Sequence, residues 1–496
     1  MPLSRRDFLA TTAATAASLG LANVTRAQAK DAADVRVAVI GVNGRGENHL
    51  DAMPKNVVAI CDVDGTVLSR AAERFQKKWG HKVETFTDYR KLLERKDIDA
   101  VSIATPNHIH ALVTIAAAQA GKDVYCEKPI SHNIWEGRQM VAAVKKYNRI
   151  IQCGTQSRSS RCLQEAVAYV QSGQLGKIEY ALGTCYKPRP SIGKLDKPLQ
   201  LPSSIDYDLW CGPAEKKDLF RPNLHYDWHW NFNTGNGDMG NQGIHQMDIA
   251  RWFLGEKTLA PKVISIGGRL GYDDAGNTAN TQIAYHAYPA APLLFEVRGL
   301  PHSKSAQAVS DWQPVMDRYR GAQISVLVQC EKGHVLANSD YTSAFAFDRD
   351  GHLVKEWRSE NSSHWANWLS AVVSRDPSKL NASLLEGHLS SSLCHAGNIS
   401  YRLGRHRPVD AIAEAIAGND LLSASFDRMV AHLRANGVDV DSGKGAITLG
   451  PWLELDTATE TFTNNDQANQ LRSRKQRAPF IVPEIESEAA HTAAAG

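Results

Sequence analysis

One stretch limits the fold of this 496-residue chain more than any other: VRVAVIGVNGRG, Val35 to Gly46, a β-branched run that ends in a glycine-rich turn. Such a run reads as a strand buried on both faces. Glycines directly after it allow a sharp turn and a close approach of main chain to a bulky partner. Gly41 is placed for the tight turn and Gly46 for packing the next helix on the strand, while Asn43 holds the place between them that glycine usually takes, with Gly44 after it. The pattern is G-x-N-G-x-G, the spacing at which a helix N-terminus meets the pyrophosphate of a dinucleotide. Asp62 closes the next strand, VVAICDVD, about twenty residues past Gly41, where an acid accepts ribose hydroxyls. Its charge disfavours a 2′-phosphate, so NAD is expected. Arg45 in the turn tempers that preference and keeps NADP as the alternative.

Up to about Cys153 short apolar runs alternate with amphipathic windows. AVSIATP and KDVYCEKP read as further strands, with HALVTIAAAQAG as the helix between them. Alternation of this kind predicts parallel crossovers and a doubly wound α/β sheet of the Rossmann kind. Beyond Cys153 the strand-like runs lengthen (KIEYALGTCYK, PKVISIGGRLG, LLFEVRGL, AQISVLVQC), predicting a second, α+β unit around a large, mainly antiparallel open sheet. One face of that sheet is expected to carry helices and the other to receive a second copy of the chain. The expected divisions are 30–153 for the nucleotide domain, 154–460 for the substrate and oligomerisation domain, and 461–496 for a polar tail that wraps the surface and frays at HTAAAG.

Ligands of doubly wound sheets lie at the carboxyl ends of the strands. There the third strand ends in Thr105-Pro106-Asn107, with His110 on the following helix, and the fourth ends in Glu127-Lys128-Pro129. Together with the glycine turn and Asp62 these residues are expected to hold the cofactor. Pro129 biases Lys128 to an extended backbone, aiming its ammonium inward; a lysine before proline is otherwise a solvated loop residue.

Gly41 to Gly46, Asp62, Thr105-Pro106, Glu127-Lys128-Pro129 and the later GNGDMGNQGIHQMD together resemble the glucose-fructose oxidoreductase, inositol dehydrogenase and rhizopine-catabolism family, Gfo/Idh/MocA. The resemblance runs from Val35 to about Leu254, and more loosely beyond. It implies NAD(H) or NADP(H), and a sugar or cyclitol substrate. It also implies that Lys128 and His245 stand at the hydride site, while Asn241 occupies the position of the family's aspartate. An amide holds a hydroxyl but takes no proton, so base work would fall to His245, with Lys128 lowering the alcohol's pKa. Asp238 or Asp248 could stand in for the missing acid.

The stretch HYDWHWNFN, His225 to Asn233, is rich in rings that suit the apolar faces of a sugar, which makes Trp228 and Trp230, and less so Trp210, candidate walls of the substrate pocket. Aromatic clusters are also simply core. Tyr186, Lys187 and Arg189 end a strand and could meet a carboxylate or sulfate on the sugar. His388 and His395 share a helix face without a carboxylate at matching spacing, so no metal is expected.

A net charge of +3 and the lack of a basic stripe interleaved with aromatics give no case for nucleic acid. The eight cysteines show no metal-ligand spacing and read as small buried side chains, one disulfide staying open. SRRDFLA, Ser4 to Ala10, followed by a mild apolar run too weak to span a bilayer and by Ala27-Gln28-Ala29, resembles a twin-arginine export signal over 1–29. That pathway carries folded proteins, so a periplasmic destination would require a tightly held cofactor, loaded before export and restored within each catalytic cycle. Sugar oxidoreduction satisfies this. So does NAD-dependent glycoside hydrolysis by transient oxidation and elimination, while a redox-inactive carbohydrate-binding protein is the remaining alternative.

Overall fold

The computed structural model describes residues 31–360, 362–442 and 446–485. The expected export segment and the HTAAAG end lie outside them.

Six strands form the first sheet: β1 (Val37–Ile40), β2 (Val57–Cys61), β3 (Glu84–Phe86), β4 (Ala100–Ile103), β5 (Asp123–Cys126) and β6 (Ile151–Cys153). They run parallel in the order β3-β2-β1-β4-β5-β6. Because both faces carry helices, β1, β4 and β5 are buried at every position, which is why they read as continuous apolar runs. Ala38, Ile40, Val101 and Cys126 pack with residues of the helices His110–Gln119 and Ile134–Tyr147. Val37, Val39, Ile60 and Tyr125 pack on the other side with Val67 and Phe75 of Gly65–Trp79. Strand order reverses between β1 and β4, opening a crevice above their carboxyl ends.

Two later segments return to this sheet. Trp368 and Leu369 of the helix His364–Ser374 join the layer of Val37 and Tyr125, and Phe480 and Val482 join the layer of Ala38 and Cys126. Long-range returns of this kind leave no periodic mark at the positions that receive them.

The second sheet runs β14-β13-β12-β11-β7-β10-β9-β8-β16-β15, built from β7 (Ile178–Tyr186), β8 (Lys262–Gly268), β9 (Thr281–His286), β10 (Leu293–Arg298), β11 (Ile324–Cys330), β12 (Gly333–Asn338), β13 (Ser343–Asp348), β14 (Leu353–Arg358), β15 (Arg405–Arg407) and β16 (Ile447–Leu449). Every pair in it is antiparallel except β7 with β10. Helices Arg161–Gln171, Gly243–Leu254 and Leu384–Leu403 cover one face, around Ala181, Cys185, Leu293 and Phe295. Part of the opposite face departs from expectation. Helices Val409–Ile416 and Asp420–Ala435 lie over Leu182, Ile264, Ile283 and Leu294, so the central strands are covered on both sides. The covering helices supply Ile412, Leu422, Phe426 and Val430, which bury the apolar face within the chain itself.

All eight cysteines are buried free thiols. Among the described residues no helix is long and apolar enough to cross a membrane.

Candidate active site

The turn after β1 requires its glycines. Gly41 has φ of 83°, and a Cβ on it would lie 2.8 Å from the Ala104 carbonyl, while a Cβ on Gly46 would lie 2.0 Å from the carbonyl oxygen of Gly41. Gly44 also has positive φ, yet nothing stands within 4 Å of a Cβ built there, which leaves open space beside the main chain. The helix Arg45–Ala52 starts at this point with no side-chain cap, so its positive end faces the crevice. The Asp62 carboxylate braces the turn, accepting from Val42 N at 3.0 Å and Asp64 N at 3.1 Å. Burial raises its pKa, against those hydrogen bonds.

A cavity of about 440 Å³ opens over these groups. Of the cofactor residues expected from sequence, Gly41, Asn43, Gly44, Arg45, Asp62, Thr105, Pro106, His110, Glu127 and Lys128 line it, and so do Asn241 and Trp228. Gly46 packs beneath the turn and Asn107 is buried; neither is part of the wall. His110 is almost fully buried. Its Nδ1 lies 2.7 Å from the Pro129 carbonyl and its Nε2 2.8 Å from that of Thr105, so the ring ties the two strand-end loops together.

Glu127 is a buried part of the wall. Burial works against its charge, but Arg45 (2.8 Å from Nε), His49 (3.1 Å from Nε2) and Lys128 outweigh it and hold its pKa well below the carboxylate range. The Arg45 guanidinium is therefore occupied by Glu127, and it lies 5.2 Å from the Trp365 ring. Lys128 Nζ donates to the main-chain carbonyl of Asn241 at 2.8 Å. Burial lowers the pKa of this ammonium.

His245 is the third residue of the helix Gly243–Leu254 and is 6 % exposed, with no hydrogen-bond partner at Nδ1 among the described residues. Burial first, then the Lys128 charge, hold its pKa well below the ordinary imidazole value, so the ring is neutral and able to take a proton. His245 is not itself part of the cavity wall.

Neither candidate acid replaces the missing aspartate. Asp238 is paired with Arg189 through two contacts of 2.6 Å. Asp248 accepts from Arg158 Nε at 2.9 Å and Ser390 Oγ at 2.7 Å, in a fully buried cluster. That leaves the Asn241 carboxamide with only hydrogen bonds to offer.

Four substrate expectations need correction, Asp238 being also a candidate contact to the sugar. Tyr186 points to the opposite face of the sheet from Cys185, as strand alternation requires, and donates to Glu296 beneath Arg298. Arg189 is neutralised by Asp238 and also lies 3.3 Å from the Tyr226 hydroxyl. Trp230 is 3 % exposed and lies between the Arg189 and Arg269 guanidiniums, 5.4 and 5.1 Å from its ring. Asp238 thus serves the fold rather than a sugar. Trp210 is buried, stacked on Tyr207, and meets the cavity at its edge.

Among the wall residues not singled out in the sequence are His225 and Tyr226, both in HYDWHWNFN. His225 bonds Asp64 at 2.9 Å through Nε2, and Tyr226, with φ of 62°, is 59 % exposed. The positive φ of a tyrosine is a costly conformation that sequence does not announce.

Residues 35–155 match the profile described as oxidoreductase family, NAD-binding Rossmann fold, and residues 183–296 match that of oxidoreductase family, C-terminal alpha/beta domain. The chain belongs to the Gfo/Idh/MocA oxidoreductase family. Levoglucosan dehydrogenase of Pseudarthrobacter phenanthrenivorans is 29 % identical over 215 residues, 43 % of this chain and 46 % of the relative. A glycosyl hydrolase family 109 protein of Stenotrophomonas maltophilia is 39 % identical over 135 residues, 25 % of this chain and 29 % of the relative. The chain spans about half the length, or less, of these curated relatives. The solved structure of levoglucosan dehydrogenase with NADH and levoglucosan shares the fold, with a TM-score of 0.53, 19 % identity, and coverage of 77 % of this chain and 97 % of that one. For this Gfo/Idh/MocA chain a nicotinamide dinucleotide fits the residues present: the open space at Gly44, the uncapped helix end and the Asp62 carboxylate supply a place for pyrophosphate and ribose.

Proposed function

We propose that this chain moves a hydride between a carbinol carbon of a sugar, sugar derivative or cyclitol and a nicotinamide cofactor. The observation that carries it is the meeting, beside the dinucleotide crevice, of the Lys128 ammonium, the Asn241 main chain and a buried neutral His245. When bound, NAD supplies the hydride acceptor. Lys128 places positive charge beside the reacting hydroxyl and lowers its pKa, and His245 takes the hydroxyl proton as the carbinol is oxidised. In the reverse direction the same imidazole returns it. Glu127 holds Arg45 and His49 behind Lys128 and fixes the base of the site. Trp228, on the cavity wall, is placed to meet the apolar face of a ring.

We further read the cofactor as tightly held, and the SRRDFLA segment as directing export of the loaded protein. Similarity to levoglucosan and inositol dehydrogenases supports the substrate class. Incubating the purified protein and NAD with a panel of sugars and cyclitols tests the proposal through the absorbance band of reduced nicotinamide.

The family 109 relative favours a second reading, in which transient oxidation enables elimination of a glycosidic bond. Release of nitrophenol from nitrophenyl glycosides, without net nicotinamide reduction, distinguishes it.

A further inference from the structure

A second cavity, of about 500 Å³, shares no wall residue with the cofactor crevice. It lies between the helix Leu384–Leu403, the Asn231–Asn236 loop and the segment 470–475. Its lining is unbalanced in charge. The one acidic wall residue, Glu215, is already paired with Lys217 at 2.8 Å. Arg402, Arg474 and Lys475 have no carboxylate within ion-pair distance among the described residues. Arg474 is held in place by Asn233, donating to its carbonyl and its side-chain oxygen at 2.9 Å each. The Arg402 guanidinium lies 5.1 Å from the Phe232 ring.

The hydrogen-bonding groups are unbalanced in the same direction. Arg474 Nη1 lies 3.4 Å from His132 Nδ1, which therefore acts as acceptor and leaves the proton on Nε2. That Nε2, the Asn236 carboxamide nitrogen and Arg474 Nε are buried donors without a partner on residues of this wall. Partial desolvation of the solvent-facing Arg402 and the Arg474 charge both lower its pKa, so each guanidinium destabilises the other's charge. The acid with the largest influence on Arg474 is Glu136, which accepts from His132 N and Asn133 Nδ2, and burial raises it to about 7.

We infer that this cavity binds an oxyanion, with Arg402, Arg474 and Lys475 as its cationic anchors. Wall carboxamides such as Asn231 and Asn398 would meet neighbouring hydroxyls if the anion is carried on a polyol. The oxyanion comes either free or as the charged group of an acidic sugar.

Isothermal titration of the full chain with sulfate, with glucuronate and with neutral glucose tests the site. Saturable binding of sulfate or glucuronate is expected, weakened at least about tenfold in Arg402→Gln/Lys475→Gln. These two side chains are exposed, so the fold should persist, and unchanged NADH affinity and circular dichroism check that it does. Tighter glucuronate than sulfate assigns the site to an acidic sugar, and equal affinity assigns it to the free anion. Lack of saturable binding by either anion, an unchanged affinity in the double variant, or glucose binding as tightly as glucuronate would overturn the inference. Because the readout is anion binding, its failure leaves the hydride-transfer proposal standing.

Discussion

The Lys128 ammonium and the Asn241 main-chain carbonyl meet at 2.8 Å, joining the loop after β5 to the end of the short helix Gly237–Asn241, which directly precedes the helix that carries His245. This contact places the segment that leads to the candidate base beside the cofactor crevice. Lys128→Met should lower turnover by about 10²–10³, the loss expected when one charge-stabilising donor is removed. NADH affinity should change little. Stopped-flow measurement of both separates the two effects.

His245 is held neutral by burial and by Lys128. The base form is therefore present throughout the neutral range, and the rate of carbinol oxidation should fall only well below pH 6.5. His245→Gln should cost about 10²–10⁴ in turnover, in the range for loss of a general base. A pH–rate profile of the two proteins should show the acidic limb in the wild type alone.

Gly46→Ala places a methyl group 2.0 Å from the Gly41 carbonyl oxygen. The turn must shift, at a cost of about 1–3 kcal/mol for overpacking. Urea midpoints and NADH fluorescence titrations should show stability and cofactor affinity falling together.

Asp62 lines the crevice while Arg45 is engaged by Glu127. The chain should accordingly prefer NAD to NADP. Asp62→Ala removes a charged hydrogen-bond acceptor worth about 1.5–3 kcal/mol, which weakens NAD roughly ten- to a hundredfold. The gap to NADP should narrow, as measured by titration with both reduced cofactors.

The glycine turn and the strand-end motifs were legible because a close approach of backbone to ligand admits few residue types, and because parallel strands buried on both faces read as apolar runs. Pairing inside the second domain was not. Composition flagged Tyr186, Arg189, Trp230 and Asp238, yet which charges neutralise each other depends on elements far apart in sequence, as Arg189 and Asp238 do across 49 residues. The alternation of Cys185 and Tyr186 along β7 carried one usable signal, since only one of two neighbours can face the site. The helices Val409–Ile416 and Asp420–Ala435 over the second sheet left no such signal, because an apolar helix stripe shows that a helix packs but not on which face of which sheet.

Burial lowers the pKa of His108, His286 and His395 to about 3 and of His229 and His364 to about 4. In the unfolded chain each takes a proton near pH 6.5, so between there and about pH 4 the unfolded state binds more protons and stability falls as pH falls. Glu136, raised to about 7 by burial, works in the opposite sense between about pH 4.5 and 7, one group against five. Urea midpoints at pH 7.5, 6.5 and 5.5 should decrease in that order.

Mass spectrometry of the nucleotide retained by the purified protein, followed by spectra on adding sugars and cyclitols, tests the central claim most directly. The account predicts NAD or NADH in the crevice and a change in the reduced-nicotinamide band with at least one polyol. A protein that arrives empty and takes up neither NAD nor NADP would contradict it.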